Sequence, residues 1–139
     1  MVRAIMHGCN GHMGQVITGL IKEDADIEIV AGIDLADCRD NGYPVYTNIE
    51  DCDVKADVII DFASAKATDA LLAYGKKRGI PMVLCTTGLT DAQLAAVEEA
   101  SREVAVLKSA NMSLGVNMLL KLLKEAANIL APAGFDIEI

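Results

Sequence analysis

The sequence predicts an α/β fold, doubly wound around a mainly parallel sheet with helices on both faces. Three observations predict it. Short apolar runs rich in β-branched residues alternate with helix-like segments of roughly 10–15 residues, the pattern of βαβ units. Three glycines, Gly8, Gly11 and Gly14, fall where the first run gives way to the first helix. The run VIIDF at residues 58–62 is compact and apolar, as a strand covered on both faces of a parallel sheet must be.

Taken in order, residues 2–7 form the first strand, and a helix follows over about residues 11–22. IEIVAGI at 27–33 is the second strand. Residues 34–57 are polar, with Asn41-Gly42 and Pro44 as turn signals and one short strand near 45–47. After the strand at 58–62 a helix spans about 65–78. Its end is well marked: Lys76, Lys77 and Arg78 suit the negative pole of the helix, Gly79 suits the C′ position, and Pro81 stops continuation. Residues 82–85 form a strand, and Thr90 with Gln93 makes a capping box for a helix reaching about Ser101. A strand at 104–108, a long helix at 115–130 and a final strand at 135–139 complete the chain. Right-handed crossovers fix most of the topology.

The last helix carries Val116, Leu119, Leu120, Leu123, Ala127 and Leu130 on one stripe, with Met118 and Leu122 outside it. An apolar surface that wide predicts burial on more than one side. Together with the strand FDIEI at the end, which no polar tail follows, it implies a dinucleotide-binding domain over 1–130, with 131–139 starting a connection into a second domain. An edge strand at a natural terminus is the plainer alternative.

Composition narrows the function. The 139 residues suit one domain, and 53% hydrophobic with 23% charged residues is a globular balance. A net charge of −8 argues against a nucleic-acid partner, because phosphate binding relies on Lys and Arg. No apolar run approaches the ~20 residues of a membrane helix. MVRAIMHG is too short and too soon broken by glycine to be a signal peptide, so a cytoplasmic protein is expected. Cys9, Cys38, Cys52 and Cys85 form no C-x-x-C pair and there are two histidines, which predicts four free thiols and no metal site.

The glycines carry the first chemical reading. Gly8 must sit in the turn after the strand; close packing of one helix on another does not account for it. Gly11 lets backbone approach a pyrophosphate at the helix N-terminus, where free N–H groups favour anions. Gly14 lets the helix lie close to the sheet, and Asn10 tolerates left-handed angles in a turn longer than G-x-G-x-x-G. Asp34, twenty residues past Gly14 at the end of the second strand, is placed to accept both hydroxyls of an adenosine ribose, making the fold Rossmann-like. An ordinary solvated aspartate is the alternative. Two loops, CTTGLT at 85–90 and KSANMSLGVN at 108–117, fall at the sheet edge where such folds bind ligands. For Thr86, Thr87 and Ser113 the competing role is loop structure and helix capping.

In order, G-C-N-G-H-M-G, V-I-I-D-F-A, C-T-T-G, A-N-M-S-L-G-V-N and F-D-I-E-I resemble the N-terminal part of the dihydrodipicolinate reductases of lysine and diaminopimelate biosynthesis. The most specific part is 109–117. The resemblance implies a nucleotide-binding domain joined to a substrate domain, hydride transfer from NADH or NADPH to a small cyclic dicarboxylate imine, and a homotetramer built mainly through the second domain. Carried over by position, Gly8, Cys9, Asn10, Gly11, His12 and Met13 hold the pyrophosphate and Asp34 the ribose. Cys85, Thr86 and Thr87 line the nicotinamide site. Ser109, Ala110, Asn111 and Met112 hold its carboxamide largely through backbone, and Phe62 and Ala63 border the cofactor.

The chain departs from the family at His12, often arginine, at Cys85, often glycine, and at Ala63, often threonine. The added side chain at Cys85 would narrow the cofactor site. The family's histidine-rich motif and nearby lysine, which supply the proton donor and the substrate carboxylate contacts, are not in these residues. No catalytic residue is therefore expected here; His7 reads as a core or turn residue and His12 as a neighbour of phosphate. NADH is expected to be preferred over NADPH, or both to be used with weak discrimination, because a 2′-phosphate would meet the Asp34 carboxylate, with Leu35 and Ala36 following it and the nearest arginine at Arg39. A different Rossmann reductase would share the glycines and Asp34 but not A-N-M-S-L-G-V-N. A non-catalytic NAD-sensing module would also lack catalytic residues.

Overall fold

The computed structural model describes residues 1–138. Strands β1 (Val2–His7), β2 (Ile27–Ile33), β3 (Val45–Tyr46), β4 (Val58–Asp61), β5 (Met82–Leu84) and β6 (Val106–Lys108) form one sheet in the order β3-β2-β1-β4-β5-β6. Every pairing is parallel. Helices α1 (His12–Lys22), α2 (Thr68–Arg78), α3 (Asp91–Ala100) and α4 (Leu114–Leu130) join or follow the strands. From β1 the chain steps outward to β2 and β3, then returns to β1's other side and steps outward again through β4, β5 and β6. Right-handed crossovers therefore put α1 on one face and α2 and α3 on the other.

The core lies between the sheet and the α2–α3 layer. Ile5, Ile59 and Met82 are register partners across β1, β4 and β5, and all three are buried. Leu71, Tyr74, Val97 and Ala100 close over them from the helices. Tyr74 reaches through this layer to donate its hydroxyl to the Cys52 carbonyl at 2.6 Å. The start of β1 is tied to the entrance of β4 by Arg3, whose guanidinium donates to both oxygens of Asp57 at 2.8 and 3.0 Å.

Local signals hold at most boundaries. Gly79 closes α2 in the left-handed cap expected for it. Thr90 and Gln93 form both halves of the capping box, and Ser113 caps α4 by accepting from the Val116 N–H. The α2 helix begins at Thr68 rather than Ala65, because Ala65–Ala67 form a 3₁₀ turn that brings the chain round the end of β4.

The α4 helix leaves its apolar surface uncovered by the described residues. Ala127 is half-buried and the other sixteen positions are exposed, Leu119 at 55% and Leu123 at 56%. One expectation fails at the C-terminal end. The strand expected at 135–139 is absent over 135–138, and residue 139 lies outside the described residues. The physical reason is local: the Phe135 N–H donates to the Leu130 carbonyl at 3.1 Å and closes the end of α4 instead of pairing with a strand.

The helix α1 meets the turn before it at very short range. A Cβ on Gly14 would lie 2.2 Å from the Gly8 carbonyl oxygen and 2.7 Å from that of Cys9, so the close approach is to the turn rather than to the sheet. Gly14→Ala is expected to cost about 3 kcal/mol, since rigid backbone must move, and to lower Tm by roughly 10 °C in calorimetry. Gly19, on the exposed side of the same helix with nothing within 4 Å, gives the contrast: Gly19→Ala should leave Tm unchanged or raised. The Arg3 guanidinium also holds the Asp57 carboxyl down, from its ordinary 3.8 to about 2. A lowered carboxyl stabilises the fold above its unfolded value and stops doing so as pH falls through the folded one. In urea unfolding, the stability gap between wild type and Asp57→Asn should be constant above 3.8 and close as pH approaches about 2.

Candidate functional site

The reversal of strand order about β1 leaves a crevice at the C-terminal edge, where the loops after β1 and β4 part to opposite faces. Its floor is the turn after β1. Gly8 has φ of +82°, and a Cβ there would lie 2.9 Å from the backbone of Phe62 and Ala63. Glycine is thus required twice, for the angle and for the contact. The Gly8 N–H donates to the Ile33 carbonyl at 2.8 Å and the Phe62 N–H to the His7 carbonyl at 3.0 Å, so β2 and β4 hold the turn from both sides. Gly11 is the N-cap of α1, extended and without a side-chain cap, which leaves the first N–H groups of the helix unpaired at the crevice. A cavity of about 360 Å³ opens here, bordered by His7, Gly8, Gly11, Asp34, Phe62 and Ala63 among others.

Asp34 accepts from the Asn10 N–H at 2.7 Å through Oδ2 and from the Leu35 N–H at 2.7 Å through Oδ1. Each carboxylate oxygen keeps a further lone pair for a ligand hydroxyl. Asn10 is not left-handed: no residue other than glycine has positive φ among the described residues. It works through its side chain instead, donating to the Ala36 carbonyl at 2.6 Å and accepting from Asn41 at 2.9 Å. Gln15 extends this web, donating to the Cys9 carbonyl and to Asn41. The turn is therefore built by the loop after β2 as well as by its own glycines.

The other expected residues divide by where their side chains go. The Cys9 thiol is fully buried, packed against Gly32 of β2, so only its backbone faces the turn. Burial, with Asp34 nearby, pushes it up to about 11. His12 and Met13 are exposed on the first turn of α1. Cys85 is buried after β5, and burial followed by the charge of Asp61 raises its thiol. Thr86 is buried with its hydroxyl on Asp61 at 2.6 Å, while Thr87 is exposed.

Ser109, Ala110, Asn111 and Met112 follow β6 at the same sheet edge but do not border the cavity. Ser109 continues the strand pairing by donating to the Leu84 carbonyl at 3.0 Å. Asn111 fixes the loop: its side chain accepts from the Ser113 N–H at 2.7 Å, and its carbonyl accepts from Ser109 and Asn117.

The sequence reading missed a buried pair. His7 and Asp61 are register partners on β1 and β4, with Nδ1 and Oδ1 2.7 Å apart. The signal was present: an aspartate that ends an apolar strand has to find donors.

Residues 2–112 match the family model described as dihydrodipicolinate reductase, N-terminus. The 4-hydroxy-tetrahydrodipicolinate reductase of Caldanaerobacter subterraneus is 48% identical over all of this chain and 54% of its own length. The enzyme of that name from Clostridium tetani is 42% identical over the same shares. The chain thus spans about half the length of the curated relatives it matches. Among solved structures, a dipicolinate-bound dihydrodipicolinate reductase from Paenisporosarcina sp. TG-14 has the same fold, with a TM-score of 0.81 at 24% identity over 93% of this chain and 54% of that one.

The cysteine environments are open to direct test. Cys38 is exposed, and Cys9, Cys52 and Cys85 are buried. With an aromatic disulfide reagent at mild alkaline pH, one thiol per chain should react quickly and all four after denaturation. A second fast thiol would contradict the packing at Cys9 or Cys85.

Proposed function

The chain belongs to the dihydrodipicolinate reductase family, and on that premise we propose that it binds the reduced nicotinamide dinucleotide that the whole enzyme uses. The carrying observation is Asp34, which borders the crevice and is already hydrogen-bonded to the turn at Asn10. In this reading its free lone pairs take the adenosine ribose hydroxyls. The pyrophosphate lies over Gly8–Met13, against the uncapped N-terminus of α1, where backbone N–H groups and the helix dipole replace a basic side chain. A Cβ on Gly11 would lie 3.3 Å from the Gly8 carbonyl oxygen, so glycine keeps this part of the turn uncrowded.

The nicotinamide end then turns toward β4 and β5, past Phe62 and Ala63 to Cys85, Thr86 and Thr87. Ser109, Ala110, Asn111 and Met112 offer backbone groups to the carboxamide, and the Asn111 loop holds them in place. When bound, the cofactor supplies a hydride; this chain orients it and excludes water from one face. We assign no catalytic acid to these residues.

The wider reading follows the relatives' name. The full-length protein reduces a small cyclic dicarboxylate imine for lysine and diaminopimelate biosynthesis in the cytoplasm, as a homotetramer. Residues 1–130 are its cofactor domain and 131–139 begin the link to the substrate domain.

Cofactor choice rests on charge. A 2′-phosphate would crowd the Asp34 carboxylate. Leu35 and Ala36 follow Asp34, so no cation stands directly beside it, and NADH is preferred on that ground. Arg39, exposed and without a hydrogen bond or ion pair among the described residues, weakens the discrimination toward dual use if its loop folds back. Fluorescence titration should give a lower Kd for NADH than for NADPH, and Asp34→Ala should weaken NADH and narrow the difference. Tenfold tighter NADPH binding would overturn the electrostatic argument. Hydride transfer also needs substrate held within about 3–3.5 Å of the ring, so these 139 residues alone should bind cofactor without measurable turnover.

A further inference from the structure

Resting on that reading, we propose that His7 is a cofactor contact: its Nε2 accepts a hydrogen bond from a hydroxyl of the second, nicotinamide-side ribose. The argument starts from Asp61, which is 1% exposed. Its Oδ1 accepts from the Ala63 N–H at 3.2 Å and its Oδ2 from the Thr86 hydroxyl at 2.6 Å. The third group at this carboxylate is His7 Nδ1, at 2.7 Å from Oδ1. A carboxylate surrounded by donors accepts from all of them, so Nδ1 carries the ring proton. In the neutral ring that fixes the tautomer and leaves a lone pair on Nε2.

Nε2 has no partner among the described residues, although the His7 side chain is only 8% exposed and borders the crevice cavity. Nε2 is not fully enclosed, so this nitrogen is open to a donor that enters the crevice. The lone pair selects the chemistry of that donor. Phosphate oxygens are acceptors and gain nothing from it, whereas a hydroxyl donates. Position selects which hydroxyl. Asp34 stands at the β2 side of the crevice, while His7 ends β1 and is joined through Asp61 to Ala63 on the β4 side. A dinucleotide whose first ribose lies on Asp34 passes its second ribose over His7.

The competing view is that His7 only ties β1 to β4. Two histidines make the two views separable by long-range ¹⁵N–¹H spectra, with His12→Gln giving the assignment. The free protein should show the Nδ1–H tautomer at His7. NADH and ADP-ribose, which both carry the second ribose, should move Nε2 upfield; AMP, which lacks it, should not. His7→Asn keeps a donor for Asp61 but is too short to reach the ligand. It should weaken ADP-ribose about fivefold, the effect of one lost hydrogen bond, and leave AMP binding unchanged.

An Nε2–H tautomer overturns the proposal. So does an Nε2 signal that ADP-ribose leaves in place while NADH binding is evident from its fluorescence. A shift with NADH but not ADP-ribose would assign the contact to the carboxamide instead and overturn the ribose assignment. Equal loss of AMP and ADP-ribose affinity in His7→Asn would mark a purely structural residue. Failure of NADH to bind the wild-type chain would remove the parent reading and this one together.

Discussion

The crevice depends on one close contact, the turn after β1 pressed against the end of β4. At Gly8 there is no space for a single carbon between that turn and the backbone of Phe62 and Ala63. Because the two chain segments touch there, the ends of β1 and β4 lie level, and His7 and Asp61 meet as register partners. The same contact lets α1 begin directly over the turn, at a range that forbids a side chain on Gly14. Sheet order, helix start and the buried His7–Asp61 hydrogen bond are thus three results of one steric condition.

Much of this fold was legible because the signals were local. The run VII at 58–60 is apolar on both faces because a parallel sheet covers both. Helix ends at Gly79 and Thr90 were written in single residues whose backbone or side chain has one good use there. What was not legible needed distant partners. A broad apolar surface on α4 shows that the helix favours cover, but not what supplies it. The alternation in FDIEI reads as a strand, yet a strand exists only where an edge is within reach.

The site divides in the same way. Gly8, Gly11 and Asp34 could be placed from spacing, since the turn and the end of β2 are fixed by the elements around them. Side-chain direction could not. Cys9 sits in the middle of the turn by sequence but puts its thiol under β2. Asn10 was given a backbone role and has a side-chain one. His7 reads as a core or turn residue because the sequence shows that the aspartate ending β4 needs donors, but not that β1, fifty-four positions earlier, supplies one.

The web linking Asp34, Asn10, Asn41 and Gln15 has a consequence for altering this protein by design. The carboxylate that would discriminate between cofactors also restrains the floor on which they rest. Exchanging it for a neutral or basic residue frees the Asn10 amide and loosens the tether to the loop after β2. Specificity and rigidity are consequently one trait here. A successful redesign would have to transplant the loop from Asp34 to Asn41 as a unit, since point replacement at its first residue changes both at once.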